Sequence, residues 1–239
     1  MKINPNKIRK EETNAMIEMI DIHKTYNPKT TYKVEALRGV NLKIDKGEMV
    51  GIMGVSGSGK STLLNIIGCL DTSTKGRAIV SGINLNSLGR KGLSHMRNSI
   101  IGFALQDFGL IPNKTVYENV AYPLIFNKKV RYKEIRSMVE KALEATGIIE
   151  LKDKLASRTS GGQKQRIAIS RAIVNNPKLI LADEPTANLD SSTADEIMAT
   201  FKELNEQGIT IIIVTHDREV ANICDRIINI VDGVIVNDN

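Results

Sequence analysis

Along residues 16–26 (MIEMIDIHKTY) apolar and polar positions alternate, the period of a strand with one face in solvent, and an edge position is expected for it. Residues 34–44 read as a second and a third strand, followed by a turn over 45–48 that contains Gly47. The pattern then changes. MVGIMG at 49–54 is apolar without alternation, as a parallel strand covered on both faces would be, and it ends on glycine. In STLLNIIGCL (61–70), Leu63, Leu64, Ile67 and Leu70 fall on one side of a helix. A short strand over 76–82, a short helix over 88–98 and a strand over 99–106 (SIIGFALQ) follow, the last ending at Gln106.

From there to about residue 175 the period is helical, over 116–126, 132–146 and 161–174. Gly147 stops the second helix, and Pro177 separates the third from the apolar strand LILAD (179–183). Residues 191–206 are amphipathic and end at Gly208. ITIIIVTH (209–216) is another buried strand, 217–224 a short helix, and a hairpin closes at Asp232 and Gly233. The pattern predicts one unit over 16–236. Its β-rich core comes from about 16–100 and 177–236, with a helical insertion over about 102–175.

Composition narrows the packing. Of 239 residues 41% are hydrophobic but only 4% aromatic, with no Trp, so aliphatic side chains must fill the core. A net charge of +6 suits a polyanionic ligand, a nucleic acid or an anionic membrane face. Lys and Glu interleave through the predicted helices as they do on solvated faces, so no nucleic-acid partner is expected. One local bias remains: Lys2, Lys7, Arg9 and Lys10 precede Glu11 and Glu12 within 1–15, which reads as a disordered basic tail, or as a contact for lipid headgroups. Cys69 and Cys224 lie in apolar stretches without C-x-x-C spacing and are expected to be buried reduced thiols. No leader pattern opens the sequence, and its longest apolar runs are far shorter than a membrane span. A soluble, cytoplasmic chain is expected, with any membrane crossing left to a second chain.

The chemistry concentrates in a few segments. GVSGSGKS, Gly54 to Ser61, fits the phosphate loop G-x-x-x-x-G-K-[ST], and it stands between a buried strand and a helix as that motif requires. The N–H groups of Gly57, Ser58, Gly59 and Lys60 would curl round a β-phosphate at the helix N-terminus, with Lys60 reaching the β- and γ-oxygens and Ser61 a Mg²⁺ ion. Gly54, Val55, Ser56 and Thr62 complete the binding segment. Asp183 ends LILAD, where a carboxylate at the carboxyl end of a parallel strand meets the ligand crevice, and is assigned to Mg²⁺ through water. Glu184 beside it is the candidate general base. Gln106 is a candidate sensor of Mg²⁺ and water, and His216 could hydrogen-bond both a γ-phosphate and Glu184. Ser160, Gly161 and Gly162 precede a helix bearing Lys164, Arg166 and Arg171; this is either an anion cradle or a plain helix cap.

These motifs together resemble the ABC-type ATPase family from about 16 to 236. The phosphate loop, Gln106, TSGGQ (159–163), LILADE (179–184), ANLD (187–190) and His216 stand in the family's order. The resemblance implies an α/β fold: a RecA-like P-loop NTPase core with a mostly parallel sheet, an antiparallel β subdomain and an inserted α-helical subdomain. It also implies a head-to-tail homodimer with two ATP molecules at the interface. Each would touch the phosphate loop of one subunit and Ser160, Gly161 and Gly162 of the other, with Gln163 and Asp190 counted among the nucleotide-binding residues. Tyr26 matches the aromatic residue that stacks on adenine, with Tyr32 as runner-up. NIIGCLD (65–71) and ADEPTANLD (182–190) look most like the branch that drives macrolide exporters and lipoprotein-releasing complexes. That branch implies a separate permease, a place on the inner face of the membrane, and cargo such as a peptide, antibiotic or lipoprotein. A cell-division relative in the same branch keeps a regulatory role without transport open. Two positions depart from the family: Thr159 stands where Leu is usual, and Ala187 where Gly is common.

Overall fold

The structure, a computed structural model, describes residues 14–239. The tail expected over 1–15 lies outside the described residues except for its last two positions, and Ala15 already opens the first strand.

Strands β1 (Ala15–Tyr26), β2 (Val34–Asp45), β4 (Lys75–Val80) and β5 (Ile83–Asn84) form an antiparallel sheet in the order β2-β1-β4-β5. Two sequence expectations change here. β1 is an interior strand, because its second neighbour, β4, comes from some fifty residues later and leaves no local trace. The alternation reported one wet face, not a free edge. The stretch read as two strands over 34–44 is the single strand β2. Its pattern breaks at Gly39 (φ +76), an extra residue between the pairs Ile22–Val40 and His23–Arg38, which is a β-bulge.

The larger sheet is ordered β10-β9-β3-β8-β7-β6, with β3 (Met49–Met53), β6 (Ile101–Ala104), β7 (Leu179–Asp183), β8 (Thr210–Val214), β9 (Arg226–Val231) and β10 (Val234–Asp238). All neighbours run parallel except the β9–β10 hairpin. Alternate residues serve two cores. Val50, Ile52, Leu179, Leu181, Ile212 and Val214 pack toward α1 (Lys60–Ile67) and the antiparallel sheet. Met49, Ile180, Ala182, Ile211 and Ile213 pack toward the helices of the other face. β3, β7 and β8 are therefore buried on both sides, which is why their sequences show no alternation.

Helices α3 (Val116–Ile125), α4 (Tyr132–Ala145) and α5 (Gly161–Ile173) pack together, and α5 also lies against β6. β6 belongs to the large sheet, so the helical part begins beyond Ala104 and the expected boundary near 102 falls inside a core strand. Thr115 and Ser160 each start their helices with a reciprocal capping box. Asn119, buried in α3, accepts the Ile111 N–H at 2.7 Å and donates to Thr115 O at 2.9 Å, fixing the loop that leads into the helices. Helices α2 (Arg90–Ser99), α6 (Ser191–Glu206) and α7 (Arg218–Asn222) complete the layers. Among the described residues no helix is long and apolar enough to cross a membrane.

Candidate functional site

The topology brings the sequence candidates to one edge. The phosphate loop follows β3, Thr215 and His216 follow β8, Asp183 and Glu184 end β7, and Gln106 follows β6. These four strands are successive neighbours, so their carboxyl ends span about 14 Å at ordinary strand spacing. A crevice at the carboxyl ends of parallel strands is where open α/β sheets bind ligands.

At its centre the backbone is shaped for close approach. Gly54 has no room for a side chain: a Cβ there would stand 2.2 Å from Ile230 O and 2.6 Å from Ser58 Oγ. Gly59 caps α1 in the left-handed region (φ +107), and a Cβ would meet Ala36 O at 2.6 Å. A β-branched or bulky residue would be strained at both positions. The loop's N–H groups thus sit at the start of α1, where the helix dipole favours an anion. Lys60, only 9% exposed, donates from Nζ to Gly54 O at 2.7 Å and Val55 O at 3.0 Å. A cavity of about 550 Å³ runs from Gly57, Lys60, Ser61 and Thr62 to Tyr26 and is also lined by Asp232 and Gly233. Tyr26, not Tyr32, is the aromatic residue lining it; Tyr32 is 80% exposed.

Glu184 follows β7 with φ +47, a left-handed conformation rare for a glutamate. Its N–H donates to Val214 O at 2.8 Å, so the turn is anchored to β8. Glu184 Oε1 lies 2.8 Å from His216 Nδ1, and Thr215 Oγ1 donates to Oε2 at 3.4 Å. The carboxylate is 15% exposed and the imidazole 75%, which leaves the Nε2 side of the ring open. The hydrogen bond and the charge of Glu184 raise the His216 pKa above its ordinary 6.5. A histidine with a raised native pKa adds stability below pH 6.5, and that contribution is lost as pH climbs through the raised value. The ring's exposure keeps the effect small. In an NMR titration His216 is expected to lose its proton above pH 6.5, and in Glu184→Gln at lower pH than in the parent. Unchanged titration would mean that the pair does not form in solution.

Mg²⁺ is implied by the phosphate loop, and the donor set can be tested for fit. Burial and the neighbouring Glu184 charge push the Asp183 carboxyl above the usual range, against the pull of Lys60, so this carboxylate gains from a cation. Ser61 borders the same cavity. Among the described residues no group of three or more His, Cys, Asp or Glu could hold a metal. One carboxylate and one hydroxyl beside a phosphate site suit Mg²⁺, which takes few protein ligands and completes its shell with phosphate oxygens and water. The residues fit the ion.

The remaining candidates are placed differently. β6 ends at Ala104, so Gln106 stands two residues beyond the strand rather than at its end, and its side chain is exposed. The turn that carries it includes Phe108 (φ +58) and Gly109 (φ +55), whose carbonyls accept from the Arg171 guanidinium at 2.5 Å each. Arg171 therefore holds this loop to α5, and Arg166 is engaged by Glu196 at 2.6 Å and Thr146 O at 2.9 Å. Neither of these arginines is left for an anion at the helix start. Ser160 and Gln163 bond each other's backbone, from Ser160 N to Gln163 Oε1 at 3.1 Å and from Gln163 N to Ser160 Oγ at 3.3 Å. Gly162 lies close to α6, where a Cβ would come within 2.5 Å of Thr193 Cγ2. The Asp190 carboxylate caps α6, accepting from Thr193 N at 3.0 Å and Thr193 Oγ1 at 2.7 Å. Among the described residues no hydrogen bond joins Ser160–Gln163 to the phosphate loop of the same chain. Sequence reasoning missed Arg171 as a loop anchor; its only signal was a basic residue on the apolar side of α5.

Comparison with known proteins adds an independent line. Residues 37–187 match the ABC transporter family. The protein YknY of Bacillus subtilis, described as an uncharacterized ABC transporter ATP-binding protein, is 46% identical over 92% of this chain and 95% of its own length. The macrolide export ATP-binding/permease protein MacB of Chlorobium phaeobacteroides is 44% identical over 94% of this chain, which spans 34% of that longer protein. A dimeric structure of the ATP-binding cassette MJ0796 in a post-hydrolysis state with ADP and Pi superposes with a TM-score of 0.87, at 43% identity, covering 94% of this chain and 98% of the other. MJ0796 is a protein of Methanocaldococcus jannaschii.

Proposed function

The chain belongs to the ABC transporter family, and on that premise we propose that it hydrolyses ATP as the energy-coupling subunit of an exporter whose permease is a separate chain. The observation that carries this reading is the Glu184–His216 pair, 2.8 Å apart on the strand ends next to a phosphate loop. Glu184 accepts the proton of the attacking water, held in place by Thr215 and His216. His216 presents Nε2 to the γ-phosphate. Lys60 and the loop N–H groups bear the charge of the phosphates. Mg²⁺, held by Ser61, Asp183 and Gln106, would neutralise charge developing on the phosphate oxygens.

Among the described residues no hydrogen bond joins Ser160–Gln163 to its own chain's phosphate loop, and the related cassette structures are dimers. Both facts support a head-to-tail homodimer in which Ser160, Gly161 and Gly162 close over ATP held by the partner. The capped helix start still offers backbone N–H groups to such a ligand. Asp190 acts there through the conformation of the ANLD turn.

The permease would dock in a second cavity, about 880 Å³, between α2, β6 and the end of α3. Leu70 and Phe126 are 52% and 73% exposed at its rim. Lys91, Lys128 and Lys129 line it too, so the fitting partner is an amphipathic cytoplasmic helix with acidic flanks. The double variant Lys128→Glu, Lys129→Glu is expected to weaken co-purification with the permease by roughly tenfold or more through like-charge repulsion, with basal hydrolysis unchanged. Unchanged co-purification would rule out this groove as the dock.

For cargo, the macrolide export named for the MacB relatives favours an antibiotic, and the sequence resemblance adds a peptide or a lipoprotein extracted at the membrane. The direct test is purification from native membranes in mild detergent, with identification of what accompanies the chain. A permease with few spans and a large external domain is expected. A membrane partner without transport cargo would turn the reading toward an ATP-gated regulatory module.

A further inference from the structure

We propose that Lys24 and Asp71 are positioning residues for the base end of the nucleotide, locking the Tyr26 ring so that one face is presented to a purine. The inference rests on the reading of Tyr26 as the base-stacking residue. It assigns a role to two side chains outside every nucleotide motif in the sequence.

Tyr26 ends β1, just before the turn at Asn27 that leads out of the sheet. A tyrosine in that position would ordinarily sample several rotamers. Here its far end is tied down: Oη donates to Asp71 Oδ2 at 2.8 Å. Asp71 lies just beyond α1, the helix that begins in the phosphate loop. It is itself held by Lys24, whose Nζ donates to Asp71 Oδ1 at 2.5 Å and to Thr72 O at 2.8 Å. The Thr72 N–H adds a third donor to the carboxylate at 2.7 Å. Burial pushes the Asp71 carboxyl up, but the donors from Lys24, Tyr26 and Thr72 outweigh it and keep the group below its ordinary value. With Cα fixed by the strand and Oη by the carboxylate, both side-chain torsions of Tyr26 are set.

The cation also defines which face is free. Lys24 and Tyr26 are two apart on β1 and share its face. The ammonium stands 4.8 Å from the ring centroid. Tyr26 and Thr62 line the 550 Å³ cavity, whereas Lys24 and Asp71 are not among its lining residues. The Lys24 side chain is 11% exposed and that of Asp71 26%, so the pair backs the ring from inside the protein. A cation over one face draws electron density from the ring, which favours stacking of an electron-rich purine on the other. Because Asp71 rides on the end of α1, the ring is referenced to the same rigid element that starts at the phosphates. The distance from base to phosphate is thereby built in before a nucleotide arrives.

The test compares binding of ATP with that of inorganic tripolyphosphate, which can occupy the phosphate loop but carries no base. Lys24→Met, Asp71→Asn and Tyr26→Ala are measured with both ligands, together with KM and kcat for ATP. Freeing one side chain that binding must then order is expected to weaken ATP by about 3- to 10-fold in the Lys24 and Asp71 variants. KM rises by the same factor, kcat at saturation is unchanged, and tripolyphosphate affinity does not move. In a Tyr26→Phe background, which lacks the tethered hydroxyl, Asp71→Asn should add little. Equal losses for ATP and tripolyphosphate would reduce the cluster to a structural tie and overturn the proposal. Full ATP affinity in the Lys24 and Asp71 variants, with Tyr26→Ala weakened, would also overturn it while leaving the stacking role of Tyr26 in place. Full ATP affinity in Tyr26→Ala would remove the stacking role itself. Asp71→Asn keeps the side chain's shape, and Lys24→Met gives a second route should either variant fold poorly.

Discussion

Glu184→Gln is expected to lower ATP turnover by about 10²–10⁴, the usual worth of a general base, while leaving ATP bound. The substitution is nearly isosteric, so the left-handed turn at Glu184 and its anchor on Val214 O survive. What disappears is the proton acceptor at the position bonded to His216. Two consequences follow from holding ATP without cleaving it. The ATP-closed dimer should accumulate, visible as an ATP-dependent doubling of mass in size-exclusion chromatography with light scattering. Single-turnover hydrolysis should slow by the same factor as steady-state turnover, because the lost step is the chemical one. Near-normal hydrolysis would remove Glu184 from the role. His216→Ala distinguishes the neighbours: an orienting residue removed leaves Glu184 able to accept a proton, so its loss is expected to be smaller than that of Glu184→Gln.

The legible parts of this fold are those whose cause is local. MVGIMG, LILAD and ITIIIV announced buried parallel strands because both faces of each are covered, and a doubly covered strand cannot alternate. Residues 191–206 matched α6 end to end because Asp190 caps its start and Gly208 follows its end. The errors arose where the cause was distant. The inner position of β1 depends on β4, and the unity of β2 depends on a bulge that only the pairing with β1 defines. The same division runs through the site. The phosphate loop, Asp183, Glu184 and His216 could be placed at one edge from strand-end logic alone, since each directly follows or ends an apolar run. The hold of Arg171 on Phe108 and Gly109, more than sixty residues away in sequence, could not. Nor could the cluster of Lys24, Tyr26 and Asp71, which joins the end of the first strand to the end of the first helix. The motif around Ser160 stands between these cases. Its sequence was compatible with a helix cap and with an anion cradle; the cap is formed within the chain, and the cradle belongs to the proposed dimer.

Lys60→Ala is expected to act one step earlier than Glu184→Gln, on binding rather than chemistry. The ammonium is nearly enclosed, 9% exposed, and its two protein partners are neutral carbonyls of its own loop, Gly54 O and Val55 O. A buried cation satisfied only by neutral acceptors is poised to gain from an anion, because no carboxylate competes for it within hydrogen-bonding range among the described residues. Its charge opposes the rise of the Asp183 and His216 pKa values without reversing either. Removing one partner of a desolvated charge pair costs about 2–5 kcal/mol, so the ATP dissociation constant should rise by roughly 30- to several thousand-fold. The loop N–H groups and the α1 dipole remain and set the residual affinity. The alanine also withdraws a charge that opposes protonation of Asp183, so its carboxyl should titrate at higher pH than in the parent. Isothermal titration with ATP, read beside the same measurement on Glu184→Gln, separates the two residues: Lys60→Ala loses the nucleotide, Glu184→Gln keeps it. Unchanged affinity in Lys60→Ala would withdraw the phosphate-loop assignment, and with it the premise that the edge formed by β3, β8, β7 and β6 is where ATP binds.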